Sequence, residues 1–141
     1  MRHAPLVSTI IAIGLIPVAF LFLHAFISGI RKWPAHRVTG LLAIIWDLSM
    51  SIGYMLYRTL GGKMGGQVLD LSGPIRYYFM AHGIIALIVI LLEFIVLITG
   101  LKQWKQKRTI TIHARAGKIL FFLWWLAFLS GELFYLIAYI L

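Results

Sequence analysis

Four long apolar stretches divide the chain, with more polar segments between them. A transmembrane helix needs about 20 mostly apolar residues, and the stretches at 6–27, 38–57, 77–101 and 116–141 meet that requirement. Because the segment between the first two is short, we expect those helices to be antiparallel neighbours. The pattern predicts an all-α membrane protein, a four-transmembrane-helix up-down bundle that forms one domain over residues 1–141.

A glycine-rich segment joins the second and third stretches. Its glycines lie at 61–66, and a second turn signal, Ser72-Gly73-Pro74, precedes the third stretch. Glycine and proline at this density are typical of loops. We therefore predict a flexible loop here, or a small cap that folds over the bundle.

Composition and charge narrow the class of protein. Apolar side chains make up 62% of the chain and the mean hydropathy is +0.96, well above a soluble domain. With no cysteine, disulfides, thiolate metal sites and thiol nucleophiles are excluded. The net charge of +9 comes from residues that flank the apolar stretches, so we expect contact with membrane lipids and no nucleic acid.

The basic residues also predict an orientation. Nine Lys and Arg belong to the side that holds the first and third loops, and four belong to the other side. By the positive-inside rule the first and third loops are cytoplasmic and both termini lie on the outer side. We expect the cytoplasmic membrane of a prokaryote.

One motif opens two of the predicted helices. His36 is followed four residues later by Gly40, and His113 in the same way by Gly117. Residues at this spacing share one face of a helix, and the glycine removes side-chain bulk one turn from the imidazole. A flat cofactor or a closely packed helix would use that space.

Three of the four acidic residues fall inside the apolar stretches: Asp47, Glu93 and Glu132. Ionisable groups in a membrane span are costly and usually mark function or an interior pair. Asp47 follows His36 by eleven residues and Glu93 follows His82 by eleven, about three helical turns. We therefore expect Asp47 and Glu93 in the bundle interior, as part of a proton path with Glu132 or as buried hydrogen-bonded groups.

Depth sorts the histidines into candidate ligand sets. His24, His36 and His113 lie near the predicted cytoplasmic face, whereas His82 lies near the outer face with Glu132 as its expected neighbour. Two histidines that face each other from different helices can hold a haem iron from both sides. We predict such a haem b site, with ligands and cofactor-binding neighbours at His36, His113, Arg37, Arg115, Gly40 and Gly117.

An alternative stays open for the same histidines. A copper or iron ion bound by His24, His36 and His113, with Glu93 deeper, would also suit imidazole and carboxylate ligands. His82 would then belong to a second metal site, because about 30 Å of bilayer core separates the two faces.

The residues also resemble a known family. His36-Arg37, the segment from Gly73 to Phe79, His82, and His113-x-Arg115 before Trp124 are similar to the four-helix membrane family called domain of unknown function 420. Some of its members act in the maturation of cytochrome oxidase. A looser likeness is to four-helix haem proteins of the cytochrome b561 type.

Two functions follow as hypotheses. The first is a respiratory-chain electron-transfer subunit with bis-His haem b, possessing at most an electron-transfer activity and exchanging electrons with a quinone or a larger respiratory complex. The second, which the resemblance implies, is a non-enzymatic assembly or accessory factor for a haem–copper oxidase or other membrane complex. The aromatic run at 121–125 favours a partner within the membrane, because it exceeds what one buried helix face absorbs.

Overall fold

The computed structural model describes residues 4–60 and 73–140. Most of the predicted glycine-rich loop, including the glycines at 61–66 and Ser72, lies outside the described residues. The described part is helical throughout apart from its turns and contains no strand.

Four helices form the fold. They are α1 (Leu6–Ile30), α2 (Ala35–Thr59), α3 (Pro74–Gln106) and α4 (Thr111–Tyr135), and a π-helical turn, Leu136–Ile140, continues α4. All four are long and apolar enough to cross a membrane, which confirms the predicted all-α membrane fold with four spans.

The helices begin and end outside the predicted spans at several points. Helix α3 continues to Gln106, through residues that the sequence assigned to a polar loop, and α4 begins at Thr111 rather than at 116. Hydropathy marks only the part that suits a hydrocarbon layer, whereas backbone hydrogen bonding continues into the polar interface. The third connection is therefore only 107–110, and its first residue, Lys107, takes the left-handed conformation common at helix ends (φ 51°).

The contacts between helices show how they are arranged. Helix α1 packs on α2 and on α4, α3 packs on α4, and α2 touches α3 least. Along α1 and α4, Thr9 bonds Tyr135 while Phe26 stacks on Phe121, so these helices are antiparallel. The diagonal pairs α1–α3 and α2–α4 do not meet through their described backbones. The topology is an up-down bundle of two hairpins.

The core lies along the bundle axis, and the outside is apolar. Small and branched residues such as Val18, Ala43 and Val89 are fully or almost fully buried, which lets the backbones approach closely. Large apolar side chains such as Phe20 and Phe122 are exposed. An apolar exterior of this extent fits lipid acyl chains, whereas a soluble protein covers such patches.

The two hairpins repeat a sequence pattern. Residues 25–33 read AFISGIRKW and residues 96–104 read VLITGLKQW, so Gly29 and Gly100 occupy equivalent positions 71 residues apart. After each tryptophan comes a histidine, His36 or His113, that opens the next helix. Parallel internal repeats of this kind occur in membrane proteins with a pseudo-twofold axis along the membrane normal.

Candidate functional site

Two imidazoles meet at the end of the bundle where α2 and α4 begin. His36 and His113 come from diagonally opposite helices, and their ring centres are 6.0 Å apart with an interplanar angle of 72°. The structure thus brings together the two histidines that the sequence paired. Both are half-buried.

Each ring is seated on the preceding helix in the same way. Nδ1 of His36 lies 2.8 Å from the carbonyl oxygen of Ala25, and Nδ1 of His113 lies 3.1 Å from that of Val96. A carbonyl oxygen only accepts, so Nδ1 must donate and therefore carries the proton of each ring. Ala25 and Val96 are equivalent positions in the repeat.

This hydrogen bond leaves the other ring nitrogen available. With the proton on Nδ1, Nε2 of a neutral imidazole presents a lone pair, and within residues 4–60 and 73–140 neither Nε2 makes a hydrogen bond. Metal-ligating histidines typically donate their second nitrogen to a carbonyl or carboxylate in this manner, which fixes the tautomer and the ring orientation.

The glycines that make room for the rings are not those of the His-x3-Gly motif. A Cβ on Gly29 would lie 2.9 Å from His36 Cε1, and one on Gly100 would lie 3.0 Å from His113 Cε1. A Cβ on Gly40 would meet only Ala25, at an ordinary 3.9 Å, and one on Gly117 would meet nothing within 4 Å. The imidazole one turn before Gly40 or Gly117 does not fill the space at that glycine, because each ring leans across the hairpin onto the previous helix.

The separation of the two ring centres is close to that of two imidazoles bound to one metal ion. Two metal–nitrogen bonds of about 2 Å, with about 1 Å from each nitrogen to its ring centre, place two ligating imidazole centres about 6 Å apart, and the rings of His36 and His113 match this. The open space beside Gly117 lies on the face of α4 that carries His113.

The two arginines predicted beside this site differ in their contacts. The guanidinium of Arg37 stacks on Trp104, 4.1 Å from the ring centre, so this arginine joins the start of α2 to the end of α3. Arg115 is exposed and makes no polar contact within the described part of the chain. It is therefore available to an acidic group such as a haem propionate.

The other predicted metal ligands lie apart from this pair. His24 is exposed and approaches Thr39, 3.2 Å away, on the outside of the hairpin. Among the residues that the structure describes, no group of three or more His, Asp or Glu is arranged to hold a metal ion. The cluster of His24, His36 and His113 that depth alone predicted does not form, because His24 lies on an exposed face of α1.

His82 has a different partner from the one expected. Its Nδ1 lies 2.8 Å from the hydroxyl of Ser130, and a Cβ on Gly131 would approach its ring to 3.1 Å. Glu132 is half-buried and forms no ion pair with His82 in the described part of the chain. Residue 132 follows Gly131 by only one position, which turns its side chain away from the face that meets α3.

One residue from each helix meets at the middle of the bundle. Phe22 of α1 stacks on Trp124 of α4 with 4.6 Å between ring centres. The indole Nε1 of Trp124 donates to Asp47 Oδ1 of α2 at 3.0 Å, and Asp47 faces Glu93 of α3. We call these four residues the central layer.

The central layer buries two carboxyl groups. Asp47 is 3% exposed and Glu93 is 0% exposed, as expected for interior polar groups. Asp47 is held by Trp124 and by the hydroxyl of Ser51, which donates to Oδ2 at 3.3 Å. Both oxygens of Glu93 lack a hydrogen-bond partner among the described residues.

The sequence contained a signal for this layer. Phe22 and Glu93 are equivalent in the repeat, 71 positions apart, and Asp47 and Trp124 are both eleven residues after the histidine that opens their helix. Aligning the two hairpins would therefore have placed Trp124 beside Asp47. The pattern of each helix taken alone did not indicate that Trp124 and Ser51 donate hydrogen bonds to the Asp47 carboxylate.

The aromatic run of α4 is mostly used inside the bundle. Phe121 stacks on Phe26, and Trp124 stacks on Phe22 and Phe128. Phe122 is the exposed member, at 66%. The run thus packs α4 against α1, and fewer of its aromatic side chains are left exposed than the sequence suggested.

Comparison of the chain with protein-family models, with curated proteins and with solved structures found no match.

Proposed function

We propose that the protein is a membrane haem b protein in which His36 and His113 are the axial ligands, and that it serves as an electron-transfer subunit of a respiratory chain. The observation that supports this most directly is the facing pair of imidazoles, each fixed through Nδ1 with Nε2 left for a metal. A bound haem would supply one-electron chemistry. The chain's own residues orient the ligands through the hydrogen bonds made by Nδ1.

The repeat supports a symmetric ligand pair. Because both rings rest on a glycine and donate to a carbonyl four residues before it, the two ligands would have similar basicity and restraint. Arg115 and, after release from Trp104, Arg37 are the basic groups for propionates. A quinone or a larger respiratory complex would be the redox partner.

The proposal includes an orientation in the cytoplasmic membrane of a prokaryote. The histidine pair lies at the end of the bundle with the first and third connections, which the basic residues assign to the cytoplasm, with both termini outside. Single cysteines at Lys105 and Leu60, labelled with an impermeant reagent in intact cells, test this. We expect labelling of Leu60→Cys alone, and labelling of both from outside would contradict the orientation.

The visible spectrum of the purified protein tests the haem. We expect a Soret band with the split bands of a low-spin, six-coordinate haem, lost in His36→Ala and in His113→Ala. The matched control is His82→Ala, which removes an imidazole of similar burial at the other end and should leave the spectrum intact. A colourless wild-type protein that remains colourless after reconstitution with haemin would refute the proposal.

A second candidate is an assembly factor that handles haem or copper for an oxidase and binds it transiently. It is favoured by the half-buried position of both imidazoles at the end of the bundle, which leaves them within reach of a ligand that binds transiently. A thermal midpoint unchanged by haem, together with rapid transfer of haem to apomyoglobin, supports this candidate. Retention of haem and strong stabilisation by it support the carrier.

A further inference from the structure

The central layer contains a polar group that the proposed haem site does not use. Glu93 is fully buried, and neither of its carboxyl oxygens meets a hydrogen-bond donor among the described residues. Leaving a buried carboxylate unpaired in the interior of a membrane bundle is very costly. Such a group requires either a bound cation or a proton of its own.

The surroundings of Glu93 identify which groups act on it. The charged neighbour that faces it in the described structure is Asp47 of α2, and α4 contributes Trp124, whose N–H is already given to Asp47. Phe22 stands on the α1 side of the layer. No Lys, Arg or His of the described residues forms an ion pair with either carboxyl group, so the layer has no built-in cation.

Two ionised carboxylates cannot hydrogen-bond to each other, because both only accept. One proton between them changes this, since a protonated Glu93 donates its O–H to Asp47 and gains the partner that it otherwise lacks. Asp47 is suited to remain the acceptor, because Trp124 and Ser51 already donate to its two oxygens. Two carboxyl groups that share one buried site in a protein commonly share one proton.

We propose that Asp47 and Glu93 form a proton-binding site at the centre of the bundle, with Glu93 carrying an exchangeable proton that it donates to Asp47. Trp124 and Ser51 are positioning residues that keep Asp47 in place. Its two carboxyl groups come from α2 and α3, the neighbouring helices whose backbones approach each other least.

Infrared spectroscopy of the full chain in lipid nanodiscs tests this without haem. We expect a carboxylic acid C=O stretch that shifts to lower frequency in D₂O and is lost in Glu93→Gln, which keeps the side-chain shape. Asp47→Asn should retain the band at a shifted frequency, because Glu93 keeps its proton but meets an amide. The matched control, Glu132→Gln, should leave the band unchanged.

Each contrary result has a defined meaning. Absence of the band in the wild type, or its persistence in Glu93→Gln, would overturn the proposal. A band that never exchanges in D₂O would show a purely structural hydrogen bond, and loss of the band on adding Na⁺ at fixed pH would show a cation site; both overturn it. Because no outcome depends on haem, failure here is distinguishable from failure of the proposed function.

Discussion

The hairpins α1–α2 and α3–α4 each hold an imidazole with equivalent residues. At the middle of the bundle, however, the two hairpins place residues of different chemistry. Gly29 and Gly100 accommodate the rings of His36 and His113 in equivalent ways. Eleven residues after each histidine, however, one hairpin has an acid, Asp47, and the other an indole.

The same exchange occurs in the first helix of each hairpin, where Phe22 matches Glu93. Each hairpin therefore contributes one aromatic and one acidic residue to the central layer, and the two acids meet on the α2–α3 side. A repeated backbone thus provides a symmetric site at one end and an asymmetric one at the centre. Positions that the hairpins share set geometry, whereas positions at which they differ set chemistry.

The largest effect is expected where the hairpins differ most. Trp124→Phe removes the N–H that donates to the buried Asp47, and the loss of a hydrogen bond to a charged group should cost about 2–3 kcal/mol of unfolding free energy. Denaturant titration in mild detergent measures it. Trp125→Phe is the matched control, because the Nε1 of Trp125 is buried without a partner in the described structure. Equal losses in both variants would mean that packing, not the bond to Asp47, explains the effect.

The shared glycines give the next effect. Gly29→Ala and Gly100→Ala each place a Cβ about 3 Å from an imidazole, and such overpacking typically costs about 1–3 kcal/mol. We expect both to displace the ring and to weaken haem binding alike. Gly117→Ala, which meets open space, should be neutral in stability. If Gly117→Ala lowers stability and Gly29→Ala does not, our assignment of Gly29 and Gly100 to the rings is wrong.

A smaller effect is expected at the opposite end, where the hairpins are not equivalent. The position that matches His82 in the first hairpin is Ile11, so the bond from His82 to Ser130 is special to the second. Ser130→Ala should cost about 1 kcal/mol and leave any haem spectrum unchanged. Thermal unfolding followed by circular dichroism measures this loss of stability. A change in the haem spectrum would show that the two ends of the bundle are coupled.

The smallest effect concerns the arginines. Arg37→Gln removes a cation–π contact with Trp104, worth about 0.5–1 kcal/mol at an exposed site. Arg115→Gln removes no contact in the described structure and should leave stability unchanged while speeding haem loss. A matched thermal-shift and haem-transfer assay separates these roles. If the two variants behave identically in both assays, the assignment of Arg37 to stability and of Arg115 to haem retention is wrong.

The linear sequence was sufficient to predict much of the fold. Apolar stretches of membrane-spanning length fix the number of helices, because each span must satisfy its backbone hydrogen bonds internally. Helical period alone placed Asp47 and Glu93 on inward faces, and the shared depth of His36 and His113 paired them. All of these are properties of one helix, or of the order of helices along the chain.

Tertiary structure decided which groups meet. Gly29, Gly100 and Trp124 acquire their roles from other helices, since the rings lean across a hairpin and the indole reaches across the bundle diagonal. His24, on the outward face of α1, showed that equal depth does not imply a shared site. Sequence spacing fixes depth and face within one helix, but contacts between helices depend on crossing geometry and rotation, which are set by how side chains pack between them.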